Sequence, residues 1–516
     1  MREWQPADQL NSWLVTIAIT LVAFATRLVN LNFPNKLIFD ETYYAKDAWT
    51  LSHLGYEGSW PEKIDGVEAN AAVAAGSVDA FTTDPAFVVH PPLGKWIIAI
   101  GEQLFGMTSF GWRIMPCVFG ALLIMLTIRL GRRLSRSTLI GAIAGIFLTF
   151  DGLTFVMSRV ALLDIFQSVF LLAAVASCVA DRDYYRAKIA DKIEAARRPD
   201  LRGHFGPMVW LRPWRLLAGV MFGLAIAIKW TSLYPLAAMG ILSVVWDVRA
   251  RYLAGASKQA FWALLKDGIP AFARMVVVAV PVYLATWMSW FASSAGWGRN
   301  WGTENPGDPL TQTFGPDLAA WLNYHKEIYG FHTGDFMMLE ADHPYEAHPL
   351  GWLIMWRPTA MDAQNGIEPG TEGCPLGQGE CLRVITGLGT PVFWWLAAFA
   401  ILACAILWLG DRDWRFGLPF LATMSMYLPW FLYAGRPTFH FYSITFVPYL
   451  AIGLALFLGA VLGPPGWPAR RSRGIAVAVI LTLVAANFVW IYPLLSDETL
   501  PRTLWQLRLW FGPLWI

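Results

Sequence analysis

Of 516 residues, 56% are hydrophobic and only 15% charged, with a mean hydropathy of +0.45. A soluble globular chain carries about 25% charged residues, so the composition excludes one and points to a polytopic membrane protein, with 28 tryptophans to supply interfacial belts. The net charge of +2 excludes nothing by itself; the distribution of charge along the chain does.

The polar stretch Met1–Asn11 leads into an apolar run, Trp13–Val29, long enough for a spanning anchor rather than a cleaved signal. About ten residues later come two adjacent carboxylates, Asp40 and Glu41, within Phe39-Asp40-Glu41-Thr42-Tyr43-Tyr44. Further runs near the roughly 20-residue span length lie near Ile114–Leu130, Leu139–Phe155, Val160–Ala180, Leu216–Ile228, Leu233–Val248, Met275–Phe291, Phe393–Leu409, Leu418–Tyr433, Ile444–Leu462 and Ile475–Tyr492, eleven with the first. Leu93–Phe105 is apolar but short and contains Lys95, Glu102 and Gln103, which predicts an interfacial or membrane-dipping helix.

Basic residues fix the orientation. Arg129, Arg132, Arg133 and Arg136 share one loop; Arg182, Arg186, Lys188, Lys192, Arg197, Arg198, Arg202 and Arg212 share another. Arg249, Arg251, Lys258 and Lys266, then Arg412 and Arg415, then Arg470, Arg471 and Arg473 complete the set. With eleven spans all five clusters face one side, which the positive-inside rule makes cytoplasmic. The expectation is a multi-pass plasma-membrane protein with a cytoplasmic N-terminus, an extracytoplasmic C-terminus and two large outer loops. It divides into an N-terminal transmembrane module (1–291) that includes the first outer loop (31–113), a second outer loop (292–389), and a C-terminal transmembrane module (390–516). The working parts fall outside, and no internal repeat of the transporter kind is visible.

Cys117, Cys178 and Cys404 fall in spans and read as small apolar packing residues. Cys374 and Cys381 flank a Gly/Pro-rich spacer in the second outer loop, where they form a disulfide or remain two free thiols. No Cys/His spacing resembles a zinc site.

Polar residues collect at the outer membrane face: Arg27 near the end of the first span, His90-Pro91-Pro92-Leu93-Gly94-Lys95, Arg113, Ser158-Arg159 through Asp164, Lys229, and Arg436 with His440. Singly, Arg27, Arg113 and Lys229 read equally well as snorkelling side chains, and Arg159 as a buried partner of Asp164. As a set beside an acidic pair they mark function. Arg and Lys bind phosphate, and phosphate at headgroup level between apolar helices implies a lipid phosphate. A carboxylate beside it implies a general base. Together they describe group transfer from a lipid phosphate to an outside nucleophile.

On these residues the chain resembles the protein O-mannosyltransferases, all-α membrane glycosyltransferases of the GT-C type that use polyprenyl-phosphate mannose. The resemblance rests on Phe39-Asp40-Glu41, Val89-His90-Pro91-Pro92-Leu93-Gly94-Lys95, Arg113, Ser158-Arg159 to Leu163-Asp164, Gly223 to Lys229, His343-Pro344-Tyr345-Glu346, and Arg436 to Tyr442, in family order over most of the chain. The second outer loop is too short for the β-trefoil domain of eukaryotic members, which implies a bacterial-type enzyme. The stretch Ala347-His348-Pro349-Leu350-Gly351-Trp352-Leu353 departs from the bacterial pattern.

The resemblance implies inverting transfer of mannose from polyprenyl-phosphate mannose to Ser/Thr hydroxyls of exported proteins. Asp40 is expected as the base and Glu41 as the organiser of the site. Arg113 would hold the donor phosphate, with Arg27, Arg159 or Lys229 as alternatives. His90, Asp164, His343, Arg436 and His440 are expected donor or acceptor contacts. No metal or other cofactor is required, because guanidinium can do the charge work; a metal held by Asp40 and Glu41 is the alternative. Expected partners are membrane lipids, unfolded polypeptides in export and hence a secretion translocon, with no nucleic acid. Two rival activities fit the same residues: transfer of another sugar onto a lipid or polysaccharide, and transport of a lipid-linked precursor.

Overall fold

The computed structural model describes residues 6–197, 200–256, 262–334, 343–464 and 466–515; Arg198 and Lys258 of the basic clusters lie outside the described residues. The helices that carry the argument are α1 (Gln9–Leu28), α2 (Glu41–Leu54), α3 (Leu93–Phe105), α4 (Ser109–Ser135), α5 (Thr138–Thr149), α6 (Asp164–Ala195), α7 (Pro213–Ile226), α8 (Leu233–Leu253), α9 (Pro316–Thr333), α10 (Pro391–Asp411), α11 (Val447–Leu462) and α12 (Arg470–Ile491).

Among the described residues, seven helical segments are long and apolar enough to cross a membrane, and α5, α7 and α11 are shorter apolar helices. α6 is the axis of the bundle. It is buried along most of its length and packs on α4, α7 and α8. α1 is the opposite case, with most of its apolar surface exposed, as a peripheral lipid-facing helix requires.

Two runs differ from the sequence expectation, each for a polar reason. The run expected over Leu139–Phe155 breaks after Thr149, because buried Asp151 accepts from the Thr154 N–H and hydroxyl and from the Thr390 N–H and Trp394 Nε1–H. The run expected from Val160 turns helical only at Asp164, because the Ala161 N–H points out of the helix path to Glu41 Oε1 (3.0 Å). α6 then continues to Ala195, so Arg182, Arg186, Lys188 and Lys192 ride on a helix rather than a loop.

α3 lies between α2 and α4 with Ile100, Leu104 and Phe105 exposed on one face, an amphipathic helix beside the bundle. The segment 292–389 holds α9 and two strands, β1 (Thr359–Ile367) and β2 (Cys381–Gly387), and β3 (Leu500–Pro501) joins them in an antiparallel sheet of order β1-β2-β3. Cys374 and Cys381 are joined there (S–S 2.06 Å, Cα–Cα 5.7 Å). Because β3 follows α12 in the chain, it ties the 292–389 segment to the stretch after that helix.

Candidate active site

Phe39 takes a left-handed turn (φ 46°) that lets Asp40 cap the start of α2 and points the two acids in different directions. Glu41 goes inward and is fully buried. Its carboxylate accepts two parallel hydrogen bonds from Arg113, Nε to Oε1 and Nη2 to Oε2, both 2.8 Å, and further bonds from the Ile38 and Ala161 N–H groups. Arg113 spends its remaining N–H groups on the carbonyls of Leu31, Pro34 and Lys36. This fork closes the first outer loop onto α4 and onto the turn before α6.

Both partners of that fork are therefore committed. Arg113 has no N–H left for a phosphate, which corrects its expected role. Each Glu41 oxygen already accepts two hydrogen bonds. Among the described residues no group of three His, Cys, Asp or Glu is placed to hold a metal ion.

Two more of the expected phosphate ligands hold the architecture. Arg27 donates to the carbonyls of Ala23 and Leu148 and to Ser158 Oγ. Arg159 donates to the carbonyls of Arg27, Val29 and Asn30, at and just beyond the end of α1. It does not pair with Asp164. The sequence placed these cations at the right level of the fold without revealing that backbone carbonyls consume them.

Asp40 turns the other way, half-buried, into a second group of charges. Asp164, at the first turn of α6, accepts from Lys229 Nζ at 2.7 Å. Lys229 stands in the break between α7 and α8, held there by Gln167, which donates to the hydroxyls of Thr231 and Ser232. Lys229 Nζ also lies 5.1 Å from the Tyr442 ring centre. The Leu93 N–H donates to the Ala227 carbonyl, which docks α3 on the same break. Gly94 allows a close approach at that crossing, since a Cβ there would stand 2.7 Å from Leu163 Cδ2 and displace it. The His-Pro-Pro-Leu-Gly-Lys segment is thus a joint that seats His90 beside the Asp164–Lys229 pair.

His90 stacks on His332 with ring centres 5.3 Å apart, and His332 comes from α9 in the second outer loop. His332 Nε2 donates to the Val89 carbonyl (2.9 Å), so Nδ1 is left to accept from Arg436 Nη1 (3.3 Å). That pattern fixes a neutral ring. Burial, with the Arg436 charge adding to it, lowers its pKa to about 4. Burial and then the Lys229 charge hold His90 well below the ordinary range too. Arg436 also bonds the Tyr442 hydroxyl, and its buried Nε–H has no acceptor among the described residues.

His343 packs against Phe39 and Phe439, supporting the turn from outside. His440 is fully buried against Trp394, with Nδ1 on the Gly387 carbonyl. It is a core residue and not part of the charged group, a correction to its expected contact role. His332 was missed in the sequence, although His325 and His332 lie seven residues apart, two turns along one face of a helix.

Burial raises the Asp40 pKa to about 6; Lys229 and a hydrogen bond from Tyr44 pull it down, and Asp164 pushes it up. A base must be ionised, so activity that depends on Asp40 is lost as pH falls through about 6 and is level above it. Lys229→Met is expected to move that acidic limb of kcat/KM upward, because the charge that favours ionised Asp40 is gone and Asp164 stands uncompensated. An unmoved limb would show that the limb does not report Asp40.

Comparison with known proteins bears on the family and the fold. The family model described as dolichyl-phosphate-mannose-protein mannosyltransferase matches residues 86–293. A polyprenol-phosphate-mannose--protein mannosyltransferase of Mycolicibacterium smegmatis is 35% identical over 99% of this chain and 95% of its own length. Its counterparts from Mycobacterium tuberculosis and Corynebacterium glutamicum are 34% and 32% identical over 99% of this chain and 94% of theirs. The Saccharomyces cerevisiae Pmt1–Pmt2 complex bound to the sugar donor has the same GT-C fold, with a TM-score of 0.69 at 13% identity, covering 99% of this chain and 93% of that one. The chain belongs to the protein mannosyltransferase family.

Proposed function

We propose that this protein transfers mannose from polyprenyl-phosphate mannose to Ser or Thr hydroxyls of polypeptides in export, at the outer face of the plasma membrane. The observation that carries the reading is the split of the acidic pair: Glu41 is locked into the fold, while Asp40 faces Lys229 and Tyr442, whose hydroxyl is bonded to Arg436. Asp40 removes the proton from the acceptor hydroxyl as its oxygen bonds to the anomeric carbon. The bond from that carbon to the phosphate oxygen breaks on the opposite face, and the phosphate leaves with the electron pair. The product is an α-mannoside from a β-linked donor. Lys229 and Arg436 take the charge that builds on the leaving phosphate. Asp164 positions Lys229, and His332, neutral and hydrogen-bonded on both nitrogens, positions Arg436.

Arg436→Gln removes a charge-assisted contact of about 1.5–3 kcal/mol, so donor affinity should fall at least about tenfold; unchanged affinity would remove Arg436 from the phosphate site. The charge work needs no divalent ion in this reading. Transfer should survive chelation, and a complete loss restored by magnesium or manganese would overturn that part. The decisive test is transfer of labelled mannose by purified protein from polyprenyl-phosphate mannose to a Ser/Thr peptide. No transfer with that donor, but transfer with another polyprenyl-linked sugar, would favour the rival glycosyltransferase; none with any donor would favour transport.

A further inference from the structure

A cavity of about 710 Å³ lies at the other end of the bundle, about 28 Å along α4 from Arg113. Its size is that of an ordinary ligand site. The helices explain it from both sides. Arg129, Arg132 and Arg133 follow the i, i+3, i+4 spacing and form one stripe at the end of α4, and Arg136, its left-handed C-cap residue, joins them at the cavity. Opposite them α6 presents Ala173, Ala176 and Ala180, whose short side chains leave the space open.

The lining holds four guanidiniums and one carboxylate, Asp183. Asp183 is shared between Arg133 and Arg182, each at 3.0 Å. Asp8 reaches Arg132 at 2.7 Å. Arg129 lies over the Trp13 ring at 3.9 Å and donates to Ser12 Oγ, contacts that orient its charge without cancelling it. Like charges on one helix stripe repel, so the cavity favours an anion. Its remaining wall is apolar: Leu126, Leu217, Met221 and Trp214. Trp214 and Leu217 stay 42% and 37% exposed, which opens that wall toward the lipid side of the bundle.

We infer that this cavity binds an anionic phospholipid. The phosphate lies on the arginine stripe at Arg129, and one acyl chain runs along Ala173, Ala176, Leu217 and Met221. A free anion would use the stripe and ignore the apolar wall; a neutral lipid would do the reverse.

The test is native mass spectrometry of the full-length protein in mild detergent, titrated with phosphatidylglycerol, phosphatidylcholine or inorganic phosphate. Phosphatidylglycerol should bind at least tenfold more tightly than phosphatidylcholine. Arg129→Gln should erase that preference and Arg129→Lys restore most of it. Ala176→Leu fills the acyl track and should weaken both lipids while leaving charge unchanged. Equal retention of the two lipids, wild-type binding by both Arg129→Gln and Ala176→Leu, or displacement of phosphatidylglycerol by equimolar inorganic phosphate would each overturn the inference. Arg129→Lys separates lost binding from lost folding, because it keeps the charge on the same helix.

Discussion

Replacing Asp40 by Asn should lower mannosyl transfer by about 10²–10⁴-fold, the usual contribution of a positioned general base, with melting temperature and donor affinity close to wild type. Asn keeps an acceptor for the Tyr44 hydroxyl and has nearly the volume of Asp. Nothing in the fold leans on the Asp40 charge, because the anchoring carboxylate of the pair is Glu41. The loss should therefore sit in kcat rather than in KM for the donor. A folded Asp40→Asn enzyme with near-normal rates would remove Asp40 as the base, and no other carboxylate in the described group is free for the task, since Asp164 holds Lys229 at 2.7 Å.

Glu41→Ala and Arg113→Ala should act in the opposite way, on folding rather than chemistry. Each leaves its partner as an uncompensated charge in a site of 0–1% exposure, a change that costs about 3–5 kcal/mol when a buried pair is broken. Arg113→Ala also frees the carbonyls of Leu31, Pro34 and Lys36, and Glu41→Ala frees the N–H groups of Ile38 and Ala161. The measurement is the yield and melting temperature of the purified protein in detergent. An Arg113→Ala protein that melts like wild type but binds the donor tenfold more weakly would return Arg113 to the phosphate site.

These contrasts mark what could be seen in the sequence. Apolar runs, basic clusters and acids at the membrane exit are local patterns, so the membrane class and the positions of Asp40, His90, Asp164, Lys229 and Arg436 were legible. What each cation touches was not. Arg27, Arg113 and Arg159 had the composition and depth expected of phosphate ligands, yet backbone carbonyls, which have no signature in a sequence, take most of their N–H groups, and Arg113 gives the rest to Glu41. His332 escaped because its neighbour His90 is 242 positions away and the contact depends on how α9 folds over the first outer loop. The start of α6 was misplaced by four residues because Ala161 gives its N–H to Glu41, a bond between segments 120 positions apart.

The closing strand of the outer sheet has a consequence for biogenesis. Leu500 and Pro501 pair with Leu382 and Cys381, and the Arg502 N–H donates to the Glu380 carbonyl. On the neighbouring strand Asp362 meets Lys36 at 2.8 Å, four residues before Asp40. The sheet next to the Asp40 turn thus gains its third strand only after the ribosome has passed residue 500. Such late, long-range closure is slow compared with local helix formation. During synthesis the membrane helices are laid down first, and a nascent chain that stalls before Leu500 leaves an enzyme with its transmembrane scaffold in place and its outer sheet unfinished.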